Sequence, residues 1–129
     1  MASVVEVLQQ KQSFISKQGA TDAEIKQAEE MLDIRFASDY RDYLKAFGIA
    51  SYRGHELTGI CNSARLNVVD VTRREREKDA YIHFSGYVIE VTNMDGIVIW
   101  QDGDGSVYQT VAGVAPVRLC RSLTEYIDS

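Results

Sequence analysis

The sequence predicts an α+β fold, with N-terminal helices packed on an antiparallel β-sheet meander and a short C-terminal helix. Three observations predict it. Apolar residues recur at helical spacing through the first third of the chain. From residue 87 the pattern changes to β-branched and aromatic runs joined by Asp-Gly pairs. A helix-start pattern, Ser122-Leu123-Thr124-Glu125, stands within the last eight residues.

The elements follow in order. Val4, Val5, Leu8 and Ile15 form a loose apolar stripe that predicts a helix over residues 2–17, closed by Gly19. Thr21-Asp22-Ala23-Glu24 is a capping box, and the helix after it, about Asp22–Leu32, turns Ile25, Ala28 and Leu32 to one face. In FASDYRDYLKAFG, Ser38 is the expected N-cap, and Asp39 in the first turn complements the helix dipole. Tyr40, Tyr43, Leu44 and Phe47 then follow the i, i+3, i+4, i+7 rule up to Gly48. Residues 49–62 suggest short extended pieces. Residues 64–79 carry a strand-like VVDV, but Asp70/Arg74 and Arg73/Glu77 are i,i+4 opposite-charge pairs, and these predict a solvated helix. YVIEVT, GIVIWQD and GSVYQTV predict three antiparallel strands, with Asp95-Gly96 and Asp104-Gly105 as turn pairs and helices over one face.

The chain has 129 residues, 45% apolar and 26% charged, which suits one soluble domain over residues 1–129. No apolar run approaches a transmembrane span, and the first residues lack a secretory pattern, so a cytoplasmic protein without membrane insertion is expected. Cys61 and Cys120 make no disulfide framework, and no metal-ligand spacing includes them or His55 and His83. A net charge of −5 argues against direct nucleic-acid binding. Residues 1–78 balance 12 acidic against 12 basic side chains, while residues 79–129 hold seven acidic and only two basic ones, Arg118 and Arg121. That one-sided charge reads either as a solubility surface or as a face that steers a basic partner.

Catalytic patterns are missing from the sequence. There is no Gly-x-Ser-x-Gly elbow, no dinucleotide or phosphate-binding glycine loop, and no histidine in a recognisable constellation. His83, flanked by Tyr81, Ile82 and Phe84, reads as structural. Asp102-Gly103-Asp104-Gly105 suggests a calcium loop, but the sixth and twelfth positions from Asp102 are Val107 and Gly113, so a tight turn is the better account. No catalytic residue, metal or cofactor is assigned.

The order of these signals resembles the SUKH superfamily, in particular its Smi/Knr-like branch. The opening of that pattern is matched by Ile25, Ala28, Glu29, Leu32, Asp39, Tyr40, Arg41, Leu44 and Gly48. Its acidic-glycine turn and valine–tyrosine strand are matched by Asp104, Gly105, Val107 and Tyr108, and its closing helix by Ser122, Leu123, Glu125, Tyr126 and Ile127. The usual proline before the tyrosine helix is replaced by Phe36-Ala37. The resemblance implies a non-enzymatic binding protein, of the kind that protects a bacterial cell from a cognate toxin, often a nuclease. A regulatory or scaffolding adaptor for a non-toxin protein is the alternative. The partner-binding residues expected on this reading are Glu90, Asp95, Asp102 and Asp104 for charge, with Trp100 and Tyr108 as aromatic anchors. Trp100 reads equally well as core. Monomer and homodimer both remain open, because an exposed strand edge can pair with a second copy.

Overall fold

The computed structural model describes residues 3–78 and 86–129. Asp79 and His83 lie outside the described residues.

Helix α1 (Val4–Gln9) buries Val4, Val7 and Leu8. It is shorter than the apolar stripe suggests. Positions 11 and 12, where the stripe would continue, are lysine and glutamine, and Ser13 turns the chain with φ 60°. Ile15 then enters strand β1 (Ile15–Ser16), which pairs antiparallel with β2 (Ala50–Tyr52), and β2 pairs with β3 (His55–Glu56).

Helix α2 (Asp22–Leu32) starts with a complete capping box: Glu24 N–H donates to Thr21 Oγ1, and Thr21 N–H to Glu24 Oε1. Such a cap contributes about 1 kcal/mol. Helix α3 (Ser38–Phe47) departs from expectation at its first residue. Its N-cap is Ala37, with no side-chain hydrogen bond, and Asp39 is engaged elsewhere, as described below. The face formed by Tyr40, Tyr43, Leu44 and Phe47 is buried as its spacing predicts.

Helix α4 (Val68–Lys78) resolves the ambiguous segment in favour of the charge pairs over the VVDV run. The main sheet comprises β4 (Gly86–Val91), β5 (Val98–Asp102), β6 (Val107–Val111) and β7 (Val114–Cys120), all antiparallel in chain order. The fourth strand was not expected, since Pro116 and the weak alternation of VAPVRLC conceal it. Asp95 and Gly96, with φ 54° and 71°, form the β4–β5 turn, where Ile97 N–H donates to Met94 O at 3.0 Å. Helix α5 (Leu123–Asp128) ends the chain, capped by the Ser122 hydroxyl.

The chain is α+β, but its main sheet is covered on both faces rather than one. Tyr87, Ile89, Ile99 and Val107 join the core shared with α1, α2, α3 and α5. On the other face Val88, Val98 and Trp100 pack against Val71 of α4. At the junction of the two sheets, Tyr43 donates to Thr58 O at 2.7 Å and accepts from Ala50 N–H at 3.0 Å. Thr58 Oγ1 donates to Val88 O at 2.7 Å, so the Tyr40 hydroxyl, 2.8 Å away, is the donor to Thr58.

Burial pushes the Tyr40, Tyr43 and Tyr87 phenols well above their ordinary value of 10.0. Tyr52 and Tyr126 are raised too, first by burial and then by the nearby Glu90 carboxylate. A phenol whose folded value is raised stabilises the fold fully below its unfolded value and loses that contribution as pH rises above it. These five tyrosines are therefore expected to stay protonated near pH 10 and to ionise together, with loss of far-ultraviolet ellipticity, at higher pH. A phenolate absorbance titration checks this; independent ionisation near pH 10 without unfolding would contradict the buried network.

Candidate functional site: an acidic groove at the start of α3 and α5

A concavity of about 730 Å³ opens where the starts of α3 and α5 meet the β5–β6 turn. Its walls carry Asp39, Asp104, Glu125 and Asp128 against the single guanidinium of Arg121. Val7 of α1 supplies an apolar side.

One hydrogen-bond chain builds the floor. Ala37 N–H donates to the Tyr87 hydroxyl at 2.9 Å, and that hydroxyl donates to Gln101 Oε1 at 2.7 Å. Gln101 Nε2 donates to Gly105 O at 3.0 Å and to Asp39 Oδ1 at 3.1 Å. Asp39 Oδ2 accepts from Leu123 N–H at 2.7 Å. Five elements are thus tied through buried Tyr87 and Gln101: the start of α3, β4, β5, the β5–β6 turn and the start of α5. Asp39 lies in the first turn of α3, as expected, and also accepts from the start of α5, while α3 has no side-chain cap because its N-cap residue is Ala37. The Glu125 side chain accepts from Arg121 N–H at 2.8 Å, and Asp128 meets Lys11 Nζ at 3.1 Å.

The six residues expected to bind a partner are not one surface. Asp104 is exposed on the groove wall. Asp102 lies beneath it and is used locally: its Oδ1 accepts from Asp104 N–H and Ser106 N–H, and its Oδ2 from the Tyr108 hydroxyl at 3.3 Å. Tyr108 is half-buried beside the Trp100 cluster. Asp95 is exposed in the β4–β5 turn, at the other end of β5 from Asp104.

Two placements need correction. Trp100 is fully buried, its indole N–H donating to Thr110 Oγ1 at 2.8 Å, so it anchors the core and not a partner. Glu90 is also buried, because a bulge between Val88 and Glu90 turns it to the helical face. There it accepts from the Tyr126 hydroxyl at 2.5 Å and pairs with His55 Nδ1 at 2.9 Å, while the His55 ring stacks on Tyr52 at 4.9 Å. These contacts tie β2, β3, β4 and α5 together. Asp39, Arg121, Glu125 and Asp128, which line the groove, are not among the binding residues expected from the sequence. The closing Ser-Leu-Thr-Glu pattern was the available signal for the last three, since it places them on and beside one capped helix.

Among the described residues no group of three or more His, Cys, Asp or Glu side chains is placed to hold a metal ion. No described helix is long and apolar enough to cross a membrane. Burial raises the Cys120 thiol above its ordinary value, which disfavours the reactive thiolate.

The family model described as SUKH_5: SMI1-KNR4 cell-wall matches the chain over residues 1–113. The match takes in α1 through β6 and stops before β7 and α5. No curated protein matches the chain.

Proposed function

The chain belongs to the SUKH (SMI1-KNR4) family, and from that premise we propose that it is a cytoplasmic immunity protein that binds and neutralises a cognate bacterial toxin domain by surface complementarity. The observation that carries the reading is the groove, with four carboxylates against one guanidinium on a floor fixed by buried hydrogen bonds. Nuclease toxins hold phosphates on cationic surfaces, and a rigid acidic concavity presents the opposite charge pattern. Asp104 and Asp128 are both exposed on the groove, Asp128 with its charge shared with Lys11 at 3.1 Å. Binding, not catalysis, is the activity proposed. The cell-wall wording of the family description favours a second reading, a regulatory or scaffolding adaptor for a non-toxin protein.

The test is co-expression with the toxin domain encoded beside this gene, followed by measured association. Protection of the host and a stable complex are expected. The Asp104→Lys/Asp128→Lys variant should stay folded, losing about 1 kcal/mol at most with the exposed Lys11–Asp128 pair, but associate roughly ten- to a hundredfold more slowly at low salt, the difference shrinking as salt rises. Failure to bind or protect sinks the immunity reading. Binding that ignores the double reversal keeps the immunity role and removes the groove from it.

A further inference from the structure

The main sheet has two edges, and the chain treats them differently. Along β4, the 57–58 segment closes part of the edge, with Thr58 N–H donating to Ile89 O at 2.9 Å. Along β7, no backbone hydrogen bond reaches any element other than β6 among the described residues. This edge strand is seven residues long, and Val114, Val117 and Leu119 are 53%, 52% and 43% exposed. An open edge bearing exposed apolar side chains is a template for another strand.

Charge limits what that strand can be. Arg118 and Arg121 are the only cations in residues 79–129, and both stand at this edge or its end. The register pairs Arg118 with Tyr108, and among the described residues its Nε donates to the neutral Ser106 hydroxyl at 3.2 Å. The Arg121 guanidinium stands 3.8 Å from Glu125 Oε1. A second copy of the chain fits poorly. A two-fold pairing would bring two Arg118 side chains onto one short ladder and two copies of Pro116, each lacking a donor. We propose that the outer edge of β7 receives an extended segment of another protein, alternately apolar and anionic, as a fifth strand of the main sheet. Val117 and Leu119 supply apolar contact, Arg118 selects carboxylate, and the backbone of 117–120 supplies the ladder.

This surface adjoins the acidic groove at Arg121, which lines both, but Arg118, Val117 and Leu119 lie outside the groove and the test needs no toxin. End-blocked peptides about seven residues long would be titrated into the labelled protein while amide exchange is followed by NMR. The probes are alternating valine–glutamate, alternating valine–lysine, and the glutamate peptide with N-methylated backbone. The glutamate peptide should slow exchange in 117–120 at saturation and bind about tenfold more tightly than the lysine peptide. N-methylation should abolish binding, and Arg118→Glu, at an exposed position, should reverse the charge preference. No protection of β7 by any peptide overturns the proposal, as does a preference unmoved by Arg118→Glu. Concentration-dependent protection of β7 without peptide also overturns it, because a second copy would then be the occupant.

Discussion

Gly59→Ala is expected to cost more than about 4 kcal/mol, a large share of the roughly 5–15 kcal/mol that separates folded from unfolded chains. The reason is contact, not backbone conformation. A methyl group on Gly59 would sit 2.0 Å from Gly48 O and 3.0 Å from Ile49 Cα. Neither strand of that contact is free to move. Gly48 O accepts from Ile60 N–H at 2.9 Å, and Gly48 N–H donates to Leu44 O at 2.8 Å. Gly59 itself is held from both sides, donating to Leu66 O at 3.0 Å and accepting from Val68 N–H at 2.8 Å. Relieving the clash means breaking part of the junction between α3, the 59–60 segment and the start of α4. Gly54 is the matched control. Its φ is +83°, but nothing lies within 4 Å of an added methyl, so Gly54→Ala should cost only about 1 kcal/mol. Urea unfolding of both variants separates steric exclusion from left-handed strain. A Gly59→Ala protein within about 1 kcal/mol of the parent would show that the close approach is not rigid.

Much of this fold was legible because local signals and tertiary demands agree. The Thr21–Glu24 box and the Tyr40, Tyr43, Leu44, Phe47 stripe need only neighbours along the chain to be read, and both elements form with those residues in those roles. Asp95-Gly96 likewise carries its own turn geometry. Sequence reading loses ground where a distant partner decides. Ile15 left the helical stripe because Ser51 pairs with it, and nothing near residue 15 announces that pairing. Strand β7 lacks the alternation of a half-buried strand because it is an edge with exposed apolar side chains. The candidate site divides in the same way. Local charge counting chose Asp104, which lies on the groove wall, and also Glu90, whose direction is set by a one-residue bulge. It chose Trp100, whose burial depends on α4 crossing the sheet far away in sequence. The groove is a junction of segments near residues 39, 104 and 125, and no single stretch encodes it.

That junction makes Asp39 the residue whose conservative replacement should fail. Both of its carboxylate oxygens accept: Oδ1 from Gln101 Nε2 and Oδ2 from Leu123 N–H. Asparagine has the same shape but only one acceptor, so its amide would set N–H against N–H at one of the two contacts. Rotating the Gln101 amide does not repair this. The rotated oxygen would face Gly105 O, and the rotated NH₂ would meet a Tyr87 hydroxyl that already accepts from Ala37 N–H. The polarity of the chain is fixed at its ends by backbone groups that cannot be reversed. A buried donor left unmet costs about 1–3 kcal/mol, and loss of a charged acceptor lies at the upper end of that range. Asp39→Asn is therefore expected to lower stability by about 2–3 kcal/mol, or roughly 10 °C in thermal midpoint, as much as Asp39→Ala. Exchange at the Leu123 amide should accelerate in both variants, because α5 loses its link to α3, and the groove wall carrying Glu125 and Asp128 should loosen with it. If Asp39→Asn melts close to the parent while Asp39→Ala does not, one of the two donors is not bound to the carboxylate, and the groove has no fixed floor.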